Sequence, residues 1–269
     1  MSSRESSVPI LEVKDLRKEY PAFTLDGISF SIGAGTIMGL IGRNGAGKTT
    51  TIKSILNLIH ISGGDIHYFG KDLRTHEKEI KQMIGYAGGR VDYYKKKKIR
   101  DLISVTKLFY ETWDDNAYRR YMELFELSED KTPSELSEGM KVKLNLVLAL
   151  SHGARLLILD EPTSGLDPIS RDELLDIFRI LAGEGTAILF STHITSDLDK
   201  CADTITYIRK GTQQFTGPME QFISENREKG FGTNLEEIML HYEKESFRDR
   251  LAEIAGESDS DRANEGGIL

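Results

Sequence analysis

The sequence predicts an α/β fold with an antiparallel N-terminal lobe and an inserted helical segment. Two runs, LLILD (156–160) and TAILFST (186–192), are continuously apolar, as strands buried on both faces of a sheet tend to be, and helical patterns flank each of them. A third apolar run, TIMGLI (36–41), is followed by a glycine-rich loop and then by a helical pattern. Strands that alternate with helices in this way are typical of the α/β class.

Residues 9–41 alternate apolar and polar side chains around the turn signals YPAF, LDG and GAG. A period of two is typical of strands that bury one face, and such turn signals join neighbouring strands. The segment therefore predicts a small antiparallel sheet that leads into the glycine-rich loop.

The glycine-rich loop, GRNGAGKTT (42–50), lies between TIMGLI and the helical pattern TIKSILNLI (51–59). Glycines let successive backbone N–H groups point inward at phosphate oxygens, and the following helix presents its positive N-terminal end to the same charge. In the spacing G-x-x-x-x-G-K-T, Lys48 reaches the β- and γ-phosphates and the Thr49 hydroxyl ligates Mg²⁺. The predicted phosphate-binding residues are Gly42, Asn44, Gly45, Ala46, Gly47, Lys48, Thr49 and Thr50.

Residues 90–152 separate the two halves of the α/β pattern. Their segments DLISVTKLFYETW, NAYRRYMELFEL and GMKVKLNLVLAL have helical periodicity, and none is a convincing strand. We interpret them as a helical subdomain inserted into a core that consists of residues 1–89 and 153–230. Residues 231–269 contain one amphipathic helical pattern and a polar tail too rich in small residues to pack.

The composition limits the partners and the compartment. The 269-residue chain has a formal net charge of −8, which disfavours nucleic acid as a partner because the long-range field has the wrong sign. Cys201 is the only cysteine, so an intrachain disulfide is impossible and a reducing compartment is expected. The first ten residues are polar, and no apolar stretch approaches the ~20 residues that a membrane-spanning helix needs. We therefore expect the chain itself to stay in the cytosol.

Three further motifs follow the glycine-rich loop: LSEGM (136–140), ILDEPTSGLDP (158–168) and STHITSDLD (191–199). One five-residue match is a weak signal, but four motifs in this order and spacing are highly specific. Over residues 9–225 the sequence resembles the ABC (ATP-binding cassette) ATPases, whose usual signature is LSGGQ. The resemblance implies a RecA-like P-loop NTPase core with an antiparallel β lobe and an inserted α-helical subdomain. It also implies that the chain binds ATP and Mg²⁺.

Asp160 and Glu161 end a buried apolar strand, so the two-residue side-chain period points them in different directions. The resemblance implies that Asp160 orders Mg²⁺ and that Glu161 polarises the attacking water as general base. His193, at the end of the next apolar strand, resembles the switch histidine that contacts the γ-phosphate, and Lys48 completes the candidate catalytic set. The remaining histidines have no comparable context and are expected to be surface or structural residues: His60, His67, His76, His152 and His241.

LSEGM predicts a second anion site. Ser137 caps and Gly139 begins a helix, which places a hydroxyl and free N–H groups at its N-terminus. The resemblance implies that this site serves the ATP of a second copy, so that two copies hold two ATP molecules head to tail, and that Asp167 signals across the interface. Tyr20 occupies the place where family members stack an aromatic ring on adenine, and a position in the core is its alternative role.

The sequence departs from the family at Gly89, where a glutamine that contacts Mg²⁺ or the water is usual. Gln82 lies too early to replace it, so either Arg90 or Asp92 compensates or the link to the transmembrane partner is looser. The nearby run YYKKKKIR (93–100) has three interpretations: a nucleic-acid contact, a solvated face, or a surface close to the membrane partner. We favour the third, because the run begins the helical subdomain and anionic lipid attracts each nearby lysine by about 1 kcal/mol.

We expect an ATPase that drives transport through a separate transmembrane permease subunit at the cytoplasmic face of the cell membrane. FYETWD, SELSEGMK and the NLEEI tail most resemble bacterial ABC-2-type exporters, including those of phenol-soluble modulin and antimicrobial peptides. Export of amphipathic peptides, antimicrobial peptides or drugs is therefore expected. The alternative is a soluble ABC ATPase that acts on ribosomes or nucleic acid, although the second cassette, zinc segment or coiled coil common in those proteins is not found in the sequence. A small-molecule kinase would leave LSEGM and His193 unexplained.

Overall fold

The computed structural model describes residues 8–88 and 96–244. Its strands are β1 (Leu11–Tyr20), β2 (Phe23–Ile32), β3 (Ile37–Ile41), β4 (Gly63–Tyr68), β5 (Lys71–Asp72), β6 (Ile84–Ala87), β7 (Leu156–Asp160), β8 (Ala187–Thr192), β9 (Thr204–Arg209) and β10 (Thr212–Pro218). Its α-helices are α1 (Lys48–Ile55), α2 (Glu77–Gln82), α3 (Ile99–Thr106), α4 (Asp115–Leu124), α5 (Glu138–Ser151), α6 (Pro168–Gly183), α7 (Thr195–Cys201) and α8 (Met219–Glu228). Residues 235–244 are also helical.

The described strands form one sheet in the order β5-β4-β1-β2-β10-β9-β3-β8-β7-β6. Strands β9, β3, β8, β7 and β6 are parallel to one another, and the N-terminal strands β1, β2, β4 and β5 pair antiparallel. Strand β10 joins the two parts, because it pairs antiparallel with β9 and parallel with β2. The predicted α/β class, with an antiparallel lobe before a parallel core, is confirmed.

The core strands β3, β7 and β8 are buried along their whole length. Helices cover both faces of such a parallel sheet, and this explains why the three strands read as continuous apolar runs. In the register of the sheet Ile41 lies opposite Thr192, and Asp160 lies opposite Ser191. The carboxyl ends of all three strands therefore meet at one edge, where the phosphate loop begins.

The described residues from 96 to 152 contain helices and no strand, as the sequence predicts for this segment. The side-chain amide of Gln82, at the end of α2, forms two hydrogen bonds with the backbone of this segment. Its Nε2 donates to the Phe109 carbonyl (2.8 Å), and its Oε1 accepts from the Glu111 N–H (2.9 Å). His152 is buried. Its Nδ1 lies 3.1 Å from the Gln82 carbonyl oxygen, and its ring stacks on the ring of Tyr110. His152 is therefore a structural residue, and burial lowers its pKa.

The chain divides into two compact units, Met1–Pro218 and Met219–Leu269. In the second unit, the Tyr242 hydroxyl donates to the side chain of Asn226 (2.8 Å), which ties helical residues 235–244 to α8. The finer division at residues 89/90, 152/153 and 230/231 stays a prediction. Across the helices of the described residues, none is both long and apolar enough to cross a bilayer.

Candidate active site

The phosphate loop connects β3 to α1 and needs glycine at both of its ends. A Cβ atom at Gly42 would lie 2.3 Å from the Ile208 carbonyl oxygen. Gly47 has a φ of +119°, and a Cβ atom there would lie 2.7 Å from Leu25 Cδ1. Residues 43–45 are exposed between these fixed ends, so the loop presents its backbone to solvent at the N-terminus of α1.

Lys48 is almost completely buried, with 5% of its surface exposed. Its ammonium group donates to the carbonyl oxygens of Gly42 (2.7 Å) and Arg43 (3.3 Å) and lies 3.2 Å from Glu161 Oε1. The loop and the carboxylate thus satisfy the buried charge, as a buried ammonium group requires.

Asp160 ends β7 and receives two hydroxyl groups on one carboxylate oxygen. Ser191 Oγ donates to Asp160 Oδ1 at 2.6 Å, and Thr49 Oγ1 donates to the same atom at 3.3 Å. A hydroxyl and a carboxylate side by side are hard oxygen donors that suit Mg²⁺, which commonly takes one or two protein ligands and completes its shell with phosphate oxygens and water. The residues of this corner fit that ion, and no cluster of three or more His, Cys, Asp or Glu side chains that could cage a metal occurs within the described ranges.

Glu161 has a φ of +53°, in the left-handed region that a non-glycine residue seldom adopts. Its backbone N–H donates to Ser191 Oγ (2.9 Å), and its Oε2 accepts from His193 Nδ1 (2.8 Å). The two neighbouring carboxylates therefore have different partners: Asp160 contacts Thr49, whereas Glu161 lies between Lys48 and His193. A base held by a histidine next to the phosphate loop can take a proton from water.

Ser191 is a site residue that sequence reasoning missed. It is fully buried at the end of β8, and its hydroxyl bridges Asp160 and the N–H of Glu161. A polar residue that ends a continuously apolar strand was the available signal. Burial and the negative charge of Asp160 raise the pKa of Tyr86 on β6.

The signature residues form a second group on the surface. Ser137 caps α5 by accepting from the Met140 N–H (3.2 Å), and Asp167 caps α6 through bonds from Ile169 and Ser170. Hydrogen bonds from Ser170 hold the pKa of Asp167 below its ordinary value. A Cβ atom on Gly139 would lie 3.7 Å from that of Ser170, so the two helix N-termini are neighbours.

Tyr20 lies at the end of β1, where 41% of its surface is exposed and the Lys18 ammonium group lies 4.9 Å from the ring centre. Its ring is thus accessible from solvent rather than part of the core. Gly89, Arg90 and Asp92 lie outside the described residues.

Comparison with known proteins supports one family. The sequence profile described as ABC transporter matches residues 25–164, more than half of the 269-residue chain. The bacitracin transport ATP-binding protein BcrA of Bacillus licheniformis is 34% identical over 222 residues, which are 81% of this chain and 72% of that protein. The Nod factor export ATP-binding protein I of Burkholderia orbicola is 30% identical over 264 residues, which are 94% of this chain and 85% of that protein.

A solved structure of the ATP binding subunit of an ABC transporter has the same fold. It superposes with a TM-score of 0.76 at 29% identity, and the match covers 86% of this chain and 98% of that one. Together with the phosphate loop between β3 and α1, these similarities identify the chain. It belongs to the ABC transporter family, as an ATP-binding subunit of the kind that hydrolyses ATP to power transport.

Proposed function

We propose that this chain powers export, working as a pair of copies on the cytoplasmic side of a separate transmembrane permease. The observation that carries the proposal is the contact of Lys48 and His193 with the two carboxylate oxygens of Glu161 beside the phosphate loop. Export is supported by the relatives named for bacitracin transport and Nod factor export. An amphipathic or antimicrobial peptide, or a drug, is the substrate class that we propose.

The site residues have separate roles in this proposal. Lys48 binds the β- and γ-phosphates of ATP, and Thr49 and Asp160 hold Mg²⁺, which would neutralise phosphate charge when bound. Glu161 accepts a proton from the attacking water, and His193 orients Glu161 through Nδ1. Because Lys48 and Glu161 contact each other, phosphates that attract the Lys48 ammonium group also release Glu161 Oε1 for the water.

The group around Ser137 and Asp167 is proposed to meet the ATP held by a second copy. Both side chains are exposed, and each lies at a helix N-terminus, where backbone N–H groups attract phosphate oxygens. Ile169, beside Asp167, has 72% of its surface exposed, which suits a position in an interface. Tyr20 is proposed to stack on adenine.

The permease is proposed to dock on an apolar patch of the helical segment, defined by Val105, Leu108 and Phe109. These side chains have 55%, 80% and 70% of their surfaces exposed. Val105 lies in the last turn of α3, and Leu108 and Phe109 lie on the 3-10 turn (Lys107–Phe109) that directly follows it. Exposed Lys96 and Lys97 precede α3 on the same segment, and Lys98 forms an ion pair with Asp130 (3.3 Å). An apolar patch with a basic neighbour suits a membrane protein at an anionic lipid surface.

Replacing both Leu108 and Phe109 with serine is expected to weaken the assembly with the permease. Loss of two exposed apolar anchors should reduce affinity at least about tenfold, because truncation of one interface anchor commonly costs more than ~1 kcal/mol. The measurement is co-purification from detergent-solubilised membranes of the native host. Leu124→Ser is the matched control, since Leu124 is equally exposed on α4.

A multi-span membrane protein should co-purify with the wild type and with Leu124→Ser, and much less should co-purify with the double variant. Equal recovery from all three proteins would remove the patch from the interface. Recovery of ribosomes or nucleic acid in place of a membrane protein would contradict the proposed function and favour the soluble ABC ATPase.

A further inference from the structure

We infer that Asp197 is a positioning residue for hydrolysis: it ties the loop after Glu161 to the helix after His193 and so keeps these two side chains in contact. The inference rests on the proposed roles of Glu161 and His193. Asp197 lies outside the phosphate loop and is not one of the two residues proposed to hold Mg²⁺.

The contact that carries the inference joins two segments distant in the chain. Asp197 lies on α7, four residues after His193, and only 1% of its surface is exposed. Its Oδ2 accepts from the hydroxyl of Thr163 at 2.6 Å. Thr163 is fully buried two residues after Glu161. One hydrogen bond therefore links the segment that bears the base to the segment that bears the histidine.

A third element is attached to the same carboxylate. Arg171, one turn into α6, has its Nε 3.8 Å from Asp197 Oδ1. Within residues 8–88 and 96–244 neither of these two atoms has a hydrogen-bond partner, so the link between α6 and α7 is one of charge. The backbone of Arg171 also donates to the carbonyl of Asp167 (3.0 Å), which connects the cap of α6 to Asp197.

The surroundings of the buried Asp197 carboxyl affect its pKa in opposite directions. Burial raises the pKa of the Asp197 carboxyl, while the hydrogen bond from Thr163 and the charge of Arg171 act in the opposite direction. The charges of Glu161 and His193 also act on this carboxyl, Glu161 raising its pKa and His193 lowering it. A buried carboxylate is unfavourable unless it is paired, so Thr163 and Arg171 are held close to it.

The consequence for catalysis follows from the distance between Glu161 and His193. Their 2.8 Å contact joins residues on two different segments of the chain, and the Thr163–Asp197 bond links the same two segments two residues after Glu161 and four residues after His193. A displacement of less than 1 Å is enough to lose a hydrogen bond and to reduce the rate strongly. Loss of the Thr163–Asp197 bond should therefore impair turnover more than ATP binding.

The test uses Thr163→Val, which keeps the shape of the side chain and removes the hydroxyl. Thr163→Ser restores a hydroxyl and should rescue the variant. Thr206→Val is the matched control, because Thr206 is also fully buried and its hydroxyl bonds to Thr216 (2.8 Å) away from the phosphate loop. Steady-state ATP hydrolysis, ATP affinity and Tm are measured for all of them, and for Asp197→Asn.

Thr163→Val should lower kcat about tenfold while ATP affinity changes by less than about twofold, which separates a positioning role from general damage. Its Tm should match that of Thr206→Val, and Thr163→Ser should recover most of the rate. Asp197→Asn should also lower kcat. A wild-type kcat in Thr163→Val or in Asp197→Asn overturns the inference.

Equal losses of kcat and affinity together with a lower Tm than the control, or failure of both variants to fold, would assign the contact to stability and would also overturn the inference. Failure of the proposed function would look different. In that case the wild-type protein would still hydrolyse ATP, but it would recover ribosomes or nucleic acid in place of a membrane protein in the co-purification.

Discussion

Glu161→Gln is expected to keep ATP bound and to lower hydrolysis about 100-fold or more, the usual effect of removing a general base. Glutamine has the size of glutamate but cannot accept a proton from water. The variant also removes the anion that lies 3.2 Å from the Lys48 ammonium group. Phosphate oxygens then no longer compete with a carboxylate for the Lys48 ammonium group, so affinity for ATP should equal or exceed that of the wild type.

Phosphate release and size-exclusion chromatography with ATP check this expectation. Because bound ATP is no longer cleaved, the variant should form a dimer that persists in ATP. Glu79→Gln is the control, as Glu79 is an exposed carboxylate paired with Lys71 on the surface. Turnover of Glu161→Gln at the wild-type rate would remove Glu161 from the role of base.

Lys48→Ala is expected to abolish ATP binding or turnover, with a loss of about 100-fold or more in kcat/KM, equivalent to roughly 2.7 kcal/mol of transition-state stabilisation. The change removes the positive charge for the phosphates and the contacts that the ammonium group makes with the Gly42 and Arg43 carbonyls. It also leaves Glu161 without its cationic partner beside the loop.

Lys53→Ala provides the matched control for Lys48→Ala, since Lys53 is exposed on the same helix α1. ATP affinity and hydrolysis should be unchanged in Lys53→Ala, and Tm measurements should show that both variants are folded. Full activity in Lys48→Ala would contradict the assignment of the phosphate loop.

Much of the site could be predicted because it lies at the ends of strands that are recognisable in the sequence. The runs before Gly42, Glu161 and His193 are continuously apolar, and parallel strands place such ends at a common edge. The four motifs then supplied the order of the elements. The cap at Ser137 was also predicted from the sequence, and Ser137 does cap α5. The cap of α6 by Asp167 was not predicted.

Other features depend on strand register and tertiary packing. Ser191 contacts Asp160 because the register of β7 and β8 places the two residues opposite each other. Asp197 contacts Thr163 because α7 lies against the loop that follows β7. Strands β4, β5, β9 and β10 were also missed. Strand β5 has only two residues, and β10 alternates between exposed and half-buried positions, so neither provides a long apolar run.

Phosphate release by the wild-type chain, with ATP and with or without Mg²⁺, tests the central claim most directly. The site needs the cation because Thr49 and Asp160 place two hard oxygen donors beside the phosphate loop, 3.3 Å apart. We expect steady hydrolysis with Mg²⁺, a fall to background in excess EDTA, and recovery when Mg²⁺ is restored. No release above background with Mg²⁺, or release that is indifferent to EDTA, would contradict ATP hydrolysis at this site.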